Sequence, residues 1–164
     1  MVRPLDAGRR SDPAPLRARR LGVREIDLAL SAMRSIHGSC ASRARIEAFL
    51  ADPTKHLYVT LAGNRPVALA YGYELPWVKD DGVGFILYEL DTHPDFRRRG
   101  AARALLAAME IACRARGIPK AWLVSNESNV AAMALYRAVG AVRPNRDDAM
   151  WVFRFDDRDD CGDA

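Results

Sequence analysis

The stretch RRRGAARALL, residues 97–106, places three consecutive arginines directly before a glycine, two alanines and an apolar helical pattern. A helix N-terminus carries unpaired N–H groups and a partial positive charge, so it repels cations and binds phosphate. Gly100 allows a ligand to approach the backbone, and small Ala101 and Ala102 leave the first turn unobstructed. The stretch therefore predicts a helix start that binds an anion. A solvated basic helix start is the alternative, and no Gly-Lys-Ser/Thr follows to make a Walker loop.

The segments around this helix predict an α/β fold with a mixed sheet. FILYELDT (85–92), just before it, is a dense apolar strand expected in the sheet centre. The hydrophobic period and the turn residues give the order β-α-α-β-β-β-α-β-α-β. The predicted strands are 16–21, 56–62, 66–75, 85–92, 120–126 and 149–156, and the predicted helices are 25–38, 42–53, 100–117 and 128–139. WVKDDGVG (77–84) is predicted to be a polar loop. Strands joined through a helix require parallel pairs in the C-terminal half.

Length and composition indicate one soluble globular domain. The chain has 164 residues, of which 49% are hydrophobic and 28% charged, as in ordinary globular proteins. Residues 1–15 are predicted to be a disordered leader, because they are rich in arginine and proline and lack the apolar centre of a secretory signal. The domain is predicted to span residues 16–156, followed by an acidic disordered tail, 157–164. No apolar run reaches the length of a membrane span.

The distribution of charge and the spacing of the cysteines indicate which partners and which cellular compartment to expect. The net charge of +4 does not favour a nucleic-acid partner, because seven arginines lie in the first 24 residues and the remainder is nearly neutral. Cys40, Cys113 and Cys161 share no disulfide or metal spacing, which favours a reducing compartment. We therefore expect a cytoplasmic protein with no metal, no membrane partner and no nucleic-acid partner.

Two motifs resemble those of the Gcn5-related N-acetyltransferase (GNAT) superfamily. ELDTHPDFRRRGAARALL is similar to its Arg/Gln-x-x-Gly-x-Gly/Ala motif, matched at Arg97, Gly100 and Ala102. NVAAMALYRAVGA is similar to its Asn-x-x-Ala-x-x-x-Tyr-x-x-x-Gly helix, matched at Asn129, Ala132, Tyr136 and Gly140. The resemblance implies the GNAT fold, in which about four helices flank a mixed, mostly antiparallel sheet with a splayed strand pair, here 85–92 and 120–126.

The same resemblance implies acetyl-coenzyme A as the co-substrate. Backbone N–H groups from Arg98 to Arg103 would hold its pyrophosphate, and the backbone of Leu90 to Thr92 would bind the pantetheine arm. Splayed strands leave ladder groups unpaired, and the amides of a ligand can replace the missing partners. The implied cofactor-binding residues are Leu90, Asp91, Thr92, Arg97, Arg98, Arg99, Gly100, Ala101, Ala102, Arg103, Asn129, Ala132 and Tyr136.

Acetyl transfer to an amine requires a neutral amine, a polarised thioester carbonyl and a proton donor for the departing thiolate. Tyr136 matches the position where the superfamily often places the donor, although a tyrosine at that spacing is also an ordinary half-buried helix residue. Glu89 is the predicted base, because it is the one charge within FILYEL and burial would raise its pKa. Glu74 or a chain of waters could substitute. Transfer through cysteine is disfavoured because Cys113 fits the core of its helix.

A narrower resemblance, over residues 19–156, is to the class I aminoglycoside 3-N-acetyltransferases. It is carried by RRLGVREIDLALSAMRSIHG, AYGYELPW, FILYELDT and RPNRDDAMWVFRF. It implies resistance by acetylation of the 3-amino group of an aminoglycoside antibiotic, a homodimer, and an acidic cleft that attracts a polycation. The implied substrate-binding residues are Glu74, Glu89, Asp147 and Asp148. The alternatives are another acceptor amine (a polyamine, a protein lysine or a protein N-terminus) and a non-catalytic coenzyme A sensor.

Overall fold

The computed structural model describes residues 14–79, 81–143 and 145. The chain divides into two compact units, Met1–Leu123 and Val124–Ala164, each of which is described by itself. Asp147, Asp148 and the predicted last strand, 149–156, lie outside the described residues. The predicted leader (1–15) and tail (157–164) also lie wholly or mostly outside them. Among the described residues, no helix is long and apolar enough to cross a membrane.

The first unit is built on a five-stranded sheet in the order β1-β2-β3-β4-β5. Its strands are β1 (Leu16–Arg20), β2 (Lys55–Ala62), β3 (Arg65–Pro76), β4 (Val83–Thr92) and β5 (Ala121–Trp122). The first four strands are antiparallel neighbours, and β5 joins β4 in parallel. The mixed, mostly antiparallel sheet predicted from the sequence is therefore confirmed.

Three helices accompany this sheet. They are α1 (Ile26–Ala32), which continues as a π-helical turn (Met33–His37), α2 (Arg43–Ala51) and α3 (Ala101–Ala115), with a short 3-10 turn (Pro94–Phe96) before α3. The predicted helix 25–38 thus ends in a wider turn, closed by Gly38 in the left-handed conformation (φ 68°). π-helical turns are frequent at functional sites. Ser42 caps α2 by accepting from the Arg45 N–H at 3.2 Å.

The two faces of the sheet carry different cores because side chains alternate along each strand. On β2, Leu57 and Val59 belong to the apolar cluster that also contains Ala29 and Ile46, so this is the α1–α2 face. Thr60, which points to the opposite side of β2 from Val59, donates to the carbonyl of Ala101 at 3.0 Å. That contact defines the other side as the α3 face, where His56 and Tyr58 are fully buried by the same alternation.

Strand β4 differs from its sequence-predicted form in two ways. It begins at Val83, inside the segment predicted as a loop, because Val83 and Gly84 pair with the end of β3. Its parallel pairing with β5 covers only Phe85 and Ile86, so the predicted strand 120–126 is reduced to two residues. Beyond Ile86, the described residues supply no ladder partner on that edge of β4. This opening agrees with the predicted splayed strand pair.

The second unit contains α4 (Val130–Ala138), two residues shorter at its start than predicted. Asn129 caps it by accepting from the N–H of Ala132 at 3.1 Å. The preceding turn is closed by the Ser128 N–H, which donates to Asn126 Oδ1 at 3.0 Å. The local sequence therefore explains where the helix starts.

Candidate active site

The chain forms a strained turn immediately before α3. Arg98 has φ 59° and Gly100 has φ 88°, so two residues close together adopt the left-handed conformation. Only glycine enters that region without cost, and a non-glycine residue held there marks a backbone that its surroundings constrain. The Ala104 N–H donates to the Gly100 carbonyl at 2.9 Å. Earlier N–H groups of a helix have no intrahelical partner and are suited to an anion.

Arginine side chains surround this turn. Arg97, Arg98 and Arg99 are all exposed. The Arg99 guanidinium lies 5.5 Å from the centre of the Phe96 ring, and Arg65, on β3, lies 5.1 Å from the same ring. Guanidinium groups bind phosphate oxygens in pairs of hydrogen bonds. The backbone and the side chains of this turn therefore fit a pyrophosphate.

The unpaired edge of β4 leads toward the turn. Leu90 to Thr92 pair with β3 on one side, while β5 has already ended on the other. Backbone groups along such an edge are available to the amides of an extended ligand. The structure thus brings together the two backbone segments that the sequence predicted to hold acetyl-coenzyme A. Both segments fit that ligand.

A β-bulge decides where Glu89 points. Tyr71 lies opposite Glu89, but the next residue, Gly72, lies opposite Leu87, so β4 contains one extra residue. Upstream of the bulge, Phe85 packs on the α3 face, with its ring 5.1 Å from that of His56. Simple alternation would place Glu89 on that same face. The bulge reverses the alternation and puts Glu89 on the α1–α2 face.

Glu89 lies in a cluster with Asp91 and His37. One nitrogen or oxygen atom of each residue lies within 4.8 Å of those of the other two. The His37 Nδ1–H donates to Asp91 Oδ2 at 2.8 Å. Burial raises the pKa of Glu89, the Asp91 charge raises it further, and His37 opposes both. A carboxylate whose pKa is raised is a better base near neutral pH.

A cavity of about 700 Å³ adjoins this cluster. Its wall includes His37 from the π-turn and Tyr71 from β3, both of which interact with residues of β4. Its lining residues are Met33, His37, Ser39, Cys40, Ala41, Ser42, Arg45, Ile46, Phe49, Leu57, Tyr71 and Tyr73. The cavity is large enough for a small-molecule acceptor.

Glu74, also predicted to bind substrate, lies on the opposite face from Glu89. It accepts from His56 Nε2 at 2.6 Å and from Arg116 Nη2 at 2.9 Å. Burial alone would raise the pKa of Glu74, but the hydrogen bonds from Arg116 and His56 lower it below its ordinary value. The Glu74 carboxylate therefore has two protein partners, and its role in substrate binding stays a prediction.

Tyr136, the predicted proton donor, is half-buried on α4 in the second unit. Asn129, Ala132 and Tyr136 follow the helical spacing expected from the motif, and Asn129 and Ala132 are joined by the N-cap hydrogen bond. The catalytic role of Tyr136 and the cofactor roles of Asn129 and Ala132 remain predictions. Asp147 and Asp148 lie outside the described residues.

Three residues of the cavity and the cluster were missed by the sequence reasoning. His37 has no motif around it, and Tyr71 and Phe49 look like ordinary core aromatics. The Phe49 and Tyr71 rings lie 5.9 Å apart in an edge-to-face contact. The π-turn and the bulge, which bring His37 and Tyr71 to the cluster, leave no signal in the hydrophobic period.

The fold agrees with the match of the chain to a known protein family. The chain belongs to the acetyltransferase (GNAT) family, whose sequence profile matches residues 24–141. Membership of the GNAT family, which the two motifs predicted, is therefore confirmed.

A curated relative supports the same class. An acetyltransferase of Pectobacterium atrosepticum is 36% identical over 85 residues, which are 52% of this chain and 55% of the relative. The chain thus spans about half the length of the curated relative that it matches.

Solved structures share the fold at low sequence identity. An aminoglycoside acetyltransferase from an uncultured soil metagenomic sample, in complex with sisomicin, has a TM-score of 0.76 at 14% identity, over 85% of this chain and 96% of that one. The aminoglycoside N-acetyltransferase AAC(6')-Iy, in complex with CoA, has a TM-score of 0.70 at 14% identity, over 88% and 98%. At these identities the likeness shows the fold.

Proposed function

We propose that this protein transfers the acetyl group of acetyl-coenzyme A directly to an amine, with Glu89 as the base. The observation that carries the proposal is the bulge in β4, which places a half-buried carboxylate beside a cavity and near the edge of β4 suited to the cofactor. Family membership supplies the reaction class.

The chain's residues fall into two binding groups for the cofactor. The turn from Arg97 to Arg103 would hold the pyrophosphate, and the β4 edge from Leu90 to Thr92 would bind the pantetheine arm. When bound, acetyl-coenzyme A supplies a thioester carbon, which forms a bond to the amine nitrogen as its bond to sulfur breaks. Asn129 and Ala132 belong to this proposal through the α4 motif alone.

Glu89 would prepare the amine for this reaction. An alkylammonium has no lone pair, so the carboxylate must take one proton before the nitrogen can form a new bond. The raised pKa of Glu89 brings its basicity closer to that of the amine, and the carboxylate lies close to His37, which lines the cavity. Tyr136 is proposed separately, from its motif, to give a proton to the departing sulfur.

The acceptor that we propose is the 3-amino group of an aminoglycoside. Support comes from the motif resemblance and from the aminoglycoside acetyltransferases that share the fold. Glu89 and Asp91 supply two carboxylates for an ammonium group, and Glu74, Asp147 and Asp148 are carried as further candidates. Antibiotic resistance, a homodimer, a cytoplasmic location and the lack of nucleic-acid and membrane partners stay predictions.

The test is thiol release from acetyl-coenzyme A with sisomicin, gentamicin, spermidine and a lysine peptide. Glu89→Gln should lower kcat/KM by about 10²-fold or more, the usual scale of general base catalysis. Tyr136→Phe should lower kcat. Glu47→Gln, the same change at an exposed position of α2, is the matched control and should leave turnover unchanged.

The outcomes separate the levels of the proposal. Turnover of sisomicin that Glu89→Gln abolishes supports both the chemistry and the acceptor. Turnover of spermidine or the peptide alone would keep the chemistry and overturn the aminoglycoside assignment. Coenzyme A binding without thiol release from any amine would overturn catalysis and favour a sensor.

A further inference from the structure

The π-turn at the end of α1 brings a histidine to the carboxylates of β4. His37 is the last residue of that turn, and its Nδ1 lies 2.8 Å from Asp91 Oδ2. A carboxylate has no proton to give, so the imidazole donates. This contact joins residues 54 positions apart in the sequence, and it holds the imidazole beside Glu89.

The arrangement places one imidazole close to two carboxylates. Glu89 and Asp91 lie on the same face of β4, because they are two positions apart on a regular stretch of the strand. Two like charges this close oppose each other's ionisation. The histidine stands where a positive charge would offset that repulsion. Both His37 and Asp91 have 36% of the side chain exposed, so the pair remains open to solvent protons.

We propose that His37 is a positioning residue for acetyl transfer. Asp91 holds the imidazole in place, and the imidazole in turn keeps Glu89 ionised, so that Glu89 can receive a proton from the amine. The inference rests on the proposed function, in which Glu89 is the base.

Other ionisable groups lie near the cluster of His37, Glu89 and Asp91. From β3 and β4, the phenols of Tyr71, Tyr73 and Tyr88 form one ring cluster, with Tyr71 and Tyr88 stacked at 5.6 Å. Among the described residues, Arg34 lies on the π-turn, and Cys40 and Arg45 line the same cavity.

The charges predict shifts of opposite sign for two substitutions. His37→Asn retains an amide N–H near the position of Nδ1, so it can still donate to Asp91, but it removes the positive charge. Asp91→Asn removes the negative neighbour and can still accept from His37. The pKa of Glu89 should therefore rise in the first variant and fall in the second, because His37 lowers it and Asp91 raises it.

The first measurement is a carboxyl ¹³C NMR titration of the full chain without ligand, with Glu89→Gln used to assign the Glu89 signal. We expect His37→Asn to move the Glu89 midpoint up by about 0.5 to 1 pH unit, as for a partly exposed charge pair. Asp91→Asn should move it down by a similar amount. Arg34→Gln, on the same turn, is the control and should leave it in place.

The second measurement is the pH profile of kcat/KM for thiol release. The acid limb should move in the same directions as the NMR midpoints, while thermal unfolding checks that each variant is folded. An unchanged Glu89 midpoint in His37→Asn, or an equal shift in Arg34→Gln, would overturn the inference. Since the NMR titration needs no turnover, it stands even where thiol release is absent and the proposed function fails.

Discussion

Tyr71 on β3 lies directly opposite Glu89 on β4, at the last regular pair before the strand register shifts. Cross-strand partners project to the same face, so the phenol and the carboxylate are neighbours. Burial raises the pKa of Tyr71 to about 12, and the Glu89 charge contributes. The ionisation of Tyr71 therefore reports on the charge of Glu89.

The coupling predicts that Glu89→Gln lowers the pKa of Tyr71 without restoring its ordinary value, because burial, the larger cause, remains. The measurement is an NMR titration of ring-labelled tyrosine, with Tyr71→Phe used for assignment. Glu110→Gln, on the exposed side of α3, should not move the Tyr71 signal. A Tyr71 titration that is identical with and without the Glu89 charge would contradict the shared face.

Two substitutions at the turn before α3 separate backbone from side-chain binding of the cofactor. Gly100→Ala places a Cβ on a residue at φ 88° and should cost about 1–2 kcal/mol of unfolding free energy. It should also weaken coenzyme A binding about tenfold, because the N–H groups that follow are displaced. Calorimetric titration with coenzyme A and denaturant unfolding measure the two effects.

Arg98→Gly is the matched comparison, since Arg98 already has φ 59°. Glycine relieves the strain but makes the unfolded chain more flexible, so the unfolding free energy should change by less than about 1 kcal/mol. If backbone N–H groups hold the pyrophosphate, this variant loses less affinity than Gly100→Ala. A larger loss in Arg98→Gly would assign the binding to the guanidinium instead.

The sequence predicted the elements that follow from local chemistry. Helices were predicted at 100–117 and 128–139, and the structure has α3 starting at Ala101 and α4 starting at Val130. The β-bulge and the π-turn could not be predicted, because each depends on pairing or packing with distant residues. The site shows the consequence. The charge of Glu89 within an apolar run made it a candidate base, whereas nothing in the sequence indicated a role for His37.

Acid should destabilise the first unit through the buried His56–Glu74 pair on the α3 face. Burial and the Arg20 charge lower the pKa of His56, and hydrogen bonds lower that of Glu74. Both groups thus bind protons more readily in the unfolded chain. The pair therefore contributes its whole stabilisation above the unfolded pKa values and loses it as the pH is lowered. The unfolding free energy should fall below about pH 6.5 and again below about pH 4.3.

Arg116→Met tests the same network at neutral pH. It removes two hydrogen bonds to a nearly buried carboxylate and keeps an apolar stem, so it should cost about 1–3 kcal/mol. Arg114→Met breaks an exposed pair with Glu110 and should cost far less. Urea unfolding from pH 4 to pH 8 measures both. Equal costs for the two arginines would show that the Glu74 network adds no stability.

The cavity carries one feature that opposes a polycationic acceptor. Arg45 lines it, and a fixed positive charge repels an aminoglycoside. Arg45→Gln should therefore lower the KM for sisomicin by about threefold at low salt, leave kcat unchanged, and lose its effect at high salt. Arg43→Gln is the matched control, because Arg43 is also exposed in the first turn of α2 but pairs with Asp27 and does not line the cavity. An equal change of KM in both variants would show that the effect comes from the net charge of the protein and not from the position of Arg45. A KM for sisomicin that rises in Arg45→Gln would show that Arg45 attracts the acceptor, and it would contradict a polycationic acceptor in this cavity.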